Sequence, residues 1–373
     1  MKLAFCLYKV FLYGGLARDF MRIAECCQLQ GHEIHVFTMG WQGTVPDGFH
    51  VTILPTKGLS NHARNRAFHE RLGVILDSAN FDKVVGFNKM PRLDVYYAAD
   101  PCYLDKVATN NSWLYRLGSR FHHYAACEKA VFGLESSTLS LLISDVQLGF
   151  FKQYYQTPDA RLKLLPPGIS KDRIAPVNSA EIRKAFREEF GVLADEKIIL
   201  MVGSSYRTKG LDRAIKGLAA LPEKLRSKTR LFVVGEDRPA PFEKMAVKFG
   251  VREQLSFLGG RNDVPRFLLG ADMLLQPSYK ENTGTAILEA LVSGLPVLAT
   301  AVCGYAQHVE KSGAGRVVPE PFDEKLFASL LQELLTSSER EAWRENGLKY
   351  AQTEDLYSMP EKAVELILGE NID

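Results

Sequence analysis

The 373-residue chain lacks any C-x-x-C pair, and its six cysteines (Cys6, Cys26, Cys27, Cys102, Cys127 and Cys303) show no metal-ligand spacing. That argues against a disulfide-stapled or zinc-ribbon scaffold and favours reduced, buried thiols in a cytoplasmic protein. No run reaches the roughly 18 apolar residues of a membrane span. The apolar start, Leu3–Leu7, is interrupted by Lys9 and Gly14-Gly15 and suits a first strand better than a cleaved signal. A net charge of +2 gives no global argument for nucleic acid. Neither G-x-G-x-x-G nor G-x-x-x-x-G-K-[ST] occurs, which counts against a dinucleotide enzyme and a P-loop NTPase. Repeats and coiled-coil heptads are also missing. What remains is an ordinary globular composition, 46% hydrophobic and 24% charged, long enough for about two domains.

Strand and helix patterns alternate along the chain. Lys2–Leu7, Glu33–Thr38, His50–Leu54, Lys83–Phe87, Tyr96–Ala99, Leu139–Ile143 and Arg161–Leu165 read as strands, with helices at Leu16–Gln30 and Asn61–Ser78. Arg18 and Asp19 are expected in the first turn of the earlier helix. The stretch Leu165–Ser170, "LPPGIS", breaks the pattern and marks an interdomain linker. Alternation then restarts with strands at Lys197–Val202, Arg230–Val234, Gln254–Leu258, Asp272–Gln276 and Pro296–Thr300, and the chain ends in helices. The expected fold is α/β: two Rossmann-like domains facing across a cleft, 1–166 and 167–353, with a last helix in 354–373 crossing back to the first.

Tyr279–Glu289 is the most informative stretch. A buried strand ends at Pro277, and a helix follows from Ala286, so loop amides and the positive helix end can meet an anion such as a diphosphate. Glu281 and Glu289, with seven residues between them, can reach hydroxyl pairs on two parts of one ligand. Asn282, Thr283, Gly284 and Thr285 lie between them. In "GSSYRTKG", Arg207 and Lys209 form a candidate diphosphate clamp after another strand. In "LGGRND", Arg261 and Asn262 follow two glycines, and Asp263 suits an N-cap. Gly14-Gly15 at a strand–helix junction allow close backbone approach to a ligand. The bland readings are an ordinary capped helix, solvated cations and a tight packing turn.

The segment from Tyr279 to Glu289, with "GLPVLAT" and "CGYAQHVE" beside it, resembles the E-x7-E region of the retaining nucleotide-sugar glycosyltransferases of family 4. Nearly the whole chain, including "FCLYKVFLYGGLARDFMRIA" and "VVGFNKMPRLDVYYAAD", resembles the subgroup that acts on inner-core heptose of lipopolysaccharide. The resemblance implies a GT-B enzyme moving a hexose, with retention, from a UDP-sugar (UDP-glucose or a related UDP-hexose or UDP-N-acetylhexosamine) to a heptosylated lipid A–core acceptor. It implies Glu289 on the ribose, Glu281 on the transferred sugar, and Lys209 with Arg207 and Arg173 on the donor. Main-chain groups at Arg261–Asn262 would hold the base, and Gly14-Gly15, Asp19 and Asp100 would face the reacting sugar. Asp100 stands where many family members carry a histidine. D-x-D is absent, so the diphosphate charge falls to cations and helix dipoles, and no metal or other cofactor is expected. The other readings are a UDP-sugar epimerase of the same fold and a membrane-docking scaffold.

Tyr103–Phe132 carries Leu114, Leu117, Phe121 and Tyr124 at helical spacing, with Trp113 and Tyr115 beside them. Arg116, Arg120 and His123 form a second stripe, flanked by Lys106 and Lys129. A basic amphipathic helix of this kind suits the anionic cytoplasmic face of the inner membrane as a peripheral dock. The alternative is a domain helix burying its apolar face.

Overall fold

The structure, a computed structural model, describes residues 1–11, 14–110 and 113–369, and its strands form two wholly parallel sheets. The chain divides into one unit of Met1–Gly168 with Tyr357–Asp373, and a second of Ile169–Leu356.

In the first unit the strands are β1 (Lys2–Cys6), β2 (Glu33–Thr38), β3 (Phe49–Ile53), β4 (Lys83–Gly86), β5 (Val95–Ala98), β6 (Leu139–Leu142) and β7 (Leu162–Leu164). They lie in the order β3-β2-β1-β4-β5-β6-β7. Helices cover both faces, so central strands are apolar without alternation; Leu3, Ala4, Phe5 and Cys6 are all buried. The helices are α1 (Gly15–Leu29), α2 (Asn61–Ser78), α3 (Tyr103–Asn110), α4 (Ser119–Phe132) and α5 (Asp145–Tyr155).

The second unit has helices α6 (Ser179–Glu189), α7 (Leu211–Ala220), α8 (Glu223–Arg226), α9 (Ala240–Lys248), α10 (Val264–Gly270), α11 (Thr285–Val292), α12 (Ala306–Ser312), α13 (Glu324–Thr336) and α14 (Arg340–Thr353). The last helix, α15 (Met359–Leu368), belongs to the first unit, where Met359, Ala363, Val364 and Ile367 share a core with Phe20, Ile23 and Cys27 of α1.

Strands of the second unit are β8 (Lys197–Val202), β9 (Thr229–Val234), β10 (Leu255–Phe257), β11 (Met273–Gln276), β12 (Val297–Thr300) and β13 (Gly315–Val318), ordered β10-β9-β8-β11-β12-β13. Winding reverses between β8 and β11, so the loops leaving these two strands part to opposite faces and leave a crevice at their carboxyl ends. The edge strand β13 was not expected from sequence: "GRVV" is four residues long and opens on a glycine and an arginine.

Two expectations for the first unit need correction. Tyr103–Phe132 is not one amphipathic helix. It comprises α3, a 3-10 turn at Trp113–Leu117 and α4, separated at Gly118, whose backbone is extended. His123 leaves the basic stripe altogether, being buried against the ring of His69. What turns α3 onto α4 is Glu128, fully buried, which accepts from the amides of Tyr103 (2.7 Å) and Leu104 (3.1 Å) and from the Tyr155 hydroxyl (2.7 Å), and pairs with Lys89. Asp19 also lies later than expected, because α1 begins at Gly15 and its first turn holds no acidic residue, whereas Arg18 closes that turn as expected, donating to the Gly14 carbonyl (3.0 Å).

Asp272, one residue before β11, is the electrostatic centre of the second unit. Its carboxylate accepts from Arg183 (2.8 Å), Arg187 (3.2 Å), Arg340 (3.0 Å) and the Ile198 amide (2.7 Å), although it is only 4% exposed. Burial pushes its carboxyl upward, but Arg183, the Ile198 amide, Arg340 and Arg187 outweigh this and hold it below the usual range. Asp272→Asn leaves the arginines half-buried without their counter-charge and should destabilise the unit by about 3–5 kcal/mol in urea unfolding. The depressed carboxyl also fixes the pH sign. Its contribution is full above the unfolded value of about 4 and disappears as acid titrates it in the folded state. The mutant should lose that acid-dependent component.

Candidate active site

The site in the second unit is built from the ends of adjacent parallel strands. After β8, Gly203 sits at φ +140° and donates to the Val234 carbonyl (2.8 Å), and Gly235 after β9 donates to Gly259 after β10 (2.8 Å). The three loops therefore run in series along one sheet edge. The β8 and β11 loops are pressed together across the winding reversal. Gly210, at φ +76°, packs so closely that a Cβ would stand 2.0 Å from the Pro277 carbonyl, and Tyr279 donates to the Thr208 carbonyl (2.9 Å).

This contact brings Lys209 to Glu281. The two form an ion pair, with the Gln276 amide 3.3 Å from the same carboxylate oxygen. Both partners are mostly shielded, at 21% and 16% exposure, so the pair is stronger than a surface one. Arg207 does not join them: its side chain is exposed. The loop itself is held from the β12 side. Glu281 bridges to Cys303, the Tyr305 amide donates to Thr283 (2.7 Å), and Gly304 is so close to the Asn282 carbonyl that a Cβ would lie 2.1 Å away.

Gly284, in the left-handed region at φ +87°, turns the chain into α11, whose first residue is Thr285. The helix continues to Glu289, which is 5% exposed. Arg173 comes from the segment after the interdomain break, and its Nε lies 3.7 Å from Glu289 Oε1. The Arg173 Nε and Nη1 are shielded from water and find no hydrogen-bond partner among the described residues. Unmet buried donors are costly, and here the nearest carboxylates, Glu289 and Asp172 (3.5 Å from Nε), stand beyond good hydrogen-bond geometry.

The third loop differs from its sequence reading. Asp263 occupies the N-cap position of α10 but makes no capping bond. Its carboxylate instead takes Arg261 through two 2.8 Å bonds and Arg266 at 3.2 Å, and the Arg261 contact holds its carboxyl below the usual range. The Arg261 guanidinium also lies over Phe267, so its side chain is internal to the loop, while Asn262 is exposed.

In the first unit, Gly14 caps α1, and a Cβ there would meet the Phe11 ring at 2.6 Å; Gly15 faces open space. Asp19 accepts from the Tyr97 hydroxyl at 2.9 Å. Asp100 is exposed and lines a cavity of about 620 Å³ with Tyr8, Lys9, Arg64, Asn65 and Asn88. Those polar partners carry no motif, and sequence reasoning missed them. It also missed Gln276 and Arg213. Arg213 stacks between Tyr279 (3.8 Å) and Phe322 (3.7 Å) and donates to the Ser278 carbonyl (2.9 Å), bracing the β11 loop from behind. The signal was one arginine on the α7 face, indistinguishable from a solvated cation.

Trp113, Leu114 and Leu117 are 70%, 58% and 67% exposed on the 3-10 turn. Lys106, Arg116, Arg120 and Lys129 are exposed too, with Arg120 over the Tyr124 ring.

Two doubly wound parallel units, the second with an acidic pair bracketing a helix N-terminus beside a lysine loop, define a glycosyltransferase of the GT-B fold. The chain belongs to the glycosyl transferases group 1 family, whose description matches residues 182–350. It is 47% identical over 370 residues, 99% of either chain, to "Lipopolysaccharide glucosyltransferase WaaG" of Escherichia coli K12. It superposes with a TM-score of 0.94, over 98% of this chain and all of the other, on the "Crystal Structure of WaaG, a glycosyltransferase involved in lipopolysaccharide biosynthesis". The fold also matches Anabaena Alr3699/HepE in complex with UDP and glucose, at a TM-score of 0.77 and 17% identity, covering 99% and 100% of the two chains.

The close packing of the β8 and β11 loops is directly testable. Gly210→Ala combines a left-handed backbone, worth about 1–3 kcal/mol of strain, with a backbone clash at Pro277. A lowered unfolding temperature and loss of nucleotide binding are expected together. A mutant as stable as the parent would show that the loops separate freely.

Proposed function

We propose that the chain transfers a hexose from a UDP-sugar onto an inner-core heptose of lipopolysaccharide, with retention of anomeric configuration. The observation that carries this reading is the Lys209–Glu281 pair at the start of α11, with Glu289 and the unmet donors of Arg173 further in. In this reading Glu289 accepts from the ribose hydroxyls and Arg173 donates to the donor nucleotide. Lys209, Arg207 and the α11 amides meet the diphosphate, and Glu281 holds the sugar hydroxyls once Lys209 turns to phosphate. Main chain at Arg261–Asn262 supports the base. Asn282, Thr283, Gly284 and Thr285 complete the sugar and phosphate contacts. Gly14, Gly15, Asp19 and Asp100 serve the reacting sugar and acceptor from the first unit.

Charge grows on the diphosphate as the glycosidic bond breaks, and fixed cations there favour the transition state over bound donor. The acceptor hydroxyl attacks from the face the diphosphate leaves, and its proton passes to the departing phosphate oxygen. The chain's own groups position the reactants and stabilise charge. Lys209 and the helix end do the neutralising work that a D-x-D-bound ion does elsewhere, so no metal is required.

Three substitutions separate these roles. Glu289→Ala should weaken UDP itself by about 1.5–3 kcal/mol in calorimetry, the worth of a charged hydrogen bond. Glu281→Ala should spare UDP and lower turnover, and Lys209→Ala should lower turnover more than donor affinity. UDP release should depend on a heptose acceptor and survive EDTA. Acceptor-independent turnover would favour an epimerase or hydrolase, and a requirement for added divalent ion would remove Lys209 from its role.

The acceptor is a lipid, and no helix among the described residues is long and apolar enough to cross a membrane. We place the chain as a peripheral protein on the cytoplasmic face of the inner membrane, docked by Trp113, Leu114 and Leu117 together with the exposed cations Lys106, Arg116, Arg120 and Lys129. Each cation near an anionic surface contributes about 1 kcal/mol. Arg116→Gln with Arg120→Gln should release the protein from anionic vesicles, more so at high salt, with little change in hydrolysis of soluble donor. Co-sedimentation equal to wild type would move the dock to another surface.

A further inference from the structure

Away from the donor loops, α2 and α4 bring three metal-ligating side chains together. His123 and Cys127 are four residues apart on one face of α4, and His69 comes from α2. Cys127 Sγ lies 3.9 Å from His69 Nδ1 and 3.9 Å from His123 Nε2, and all three ligand atoms fall within 4.8 Å of one another. A zinc ion with sulfur at about 2.3 Å and nitrogen at about 2.0 Å sets these pairs roughly 3.6–3.8 Å apart. The two sulfur–nitrogen pairs therefore stand a few tenths of an ångström from a coordinating arrangement, and the two imidazole nitrogens, within 4.8 Å of each other, close by a small rotation of the rings.

Their surroundings prepare them for it. The Tyr8 oxygen is 2.9 Å from His69 Nε2, and the same hydroxyl reaches the Lys89 carbonyl at 3.3 Å. A relay from His69 Nε2–H to Tyr8 to Lys89 satisfies all three groups and leaves Nδ1 bare toward the sulfur. Metal-bound histidines are oriented in this way, by a partner on the far ring nitrogen. His123 and Cys127 are 7% and 5% exposed, so the cluster is not a surface scatter of polar groups.

We propose that His69, His123 and Cys127 bind one zinc-class divalent ion, which ties α2 to α4 behind the cavity that Tyr8 lines. Two imidazoles and a thiolate select a borderline-soft ion over magnesium or calcium. Binding expels the Cys127 proton to solvent, forms one metal–sulfur and two metal–nitrogen bonds, and leaves a fourth position for water. No electron changes hands. This site is separate from the donor chemistry and does not depend on it.

Cobalt(II) is the probe. Full-length protein is treated with chelator and titrated with the ion. The expected result is a thiolate-to-cobalt charge-transfer band in the near ultraviolet that saturates at one ion per chain and is erased by zinc. Cys127→Ala and, independently, His123→Gln should abolish it. His50→Ala should not, although Glu33, His35 and His50 form a second, exposed cluster on the β2–β3 edge. Tyr8→Phe should weaken cobalt about 10–100-fold. Zinc should raise the unfolding temperature of the wild type and leave that of His123→Gln unchanged. A folded wild type without the band, or a band surviving Cys127→Ala, overturns the proposal and leaves the cluster as thiol–imidazole hydrogen bonds.

Discussion

The second unit depends on one buried carboxylate. Asp272 gathers Arg183 and Arg187 of α6, Arg340 of α14 and the Ile198 amide of β8 onto the residue that opens β11. Such a centre is not a large net source of stability, because its desolvation offsets most of the attraction. Its effect is positional. It sets α14, which packs through Gly347 against the Leu291 carbonyl of α11, and it sets the register at which β11 delivers the loop 277–284. The helix that carries Glu289 is thus fixed from behind by charge and above by its own left-handed glycine.

The same economy governs the proposed donor site. Diphosphate is strongly anionic, and a site for it must present positive charge without leaving that charge unmet. Pairing Lys209 with Glu281 answers this, since either partner buried alone would be costly. Gln276 and Arg213 support the pair and its loop from within the protein. Arg173 is the exception, with two donors left unmet among the described residues.

In the first unit, a different carboxylate has the corresponding structural role. Glu128 caps α3 and pairs with Lys89, and α3 leads to the turn that exposes Trp113, Leu114 and Leu117. Burying one charge under a short helix lets the following turn present apolar side chains outward. On α4 itself, His123 and Cys127 point inward and are buried, while Arg120 and Lys129 are exposed.

Periodicity and local chemistry were enough to determine the alternating parallel architecture and the loops at Gly203–Gly210, Gly259–Asp263 and Pro277–Gly284. Each is written in contiguous residues: apolar strand runs, glycines at left-handed positions, a helix former after a loop. The family likewise follows from those stretches. Tertiary structure alone decided which groups meet across long separations. The spacing of Cys127 shows no metal signature, because its neighbour His69 lies on another helix, 58 residues earlier. Asp263 reads as a cap but is claimed by Arg261, since a bidentate guanidinium outcompetes a backbone amide. His123 falls on a basic stripe by helical spacing, yet it is buried, because Gly118 breaks the helix and rotates the face. Local propensity acts over a few residues, whereas desolvation and charge pairing act wherever the fold brings side chains together, and a sequence read in order cannot show that.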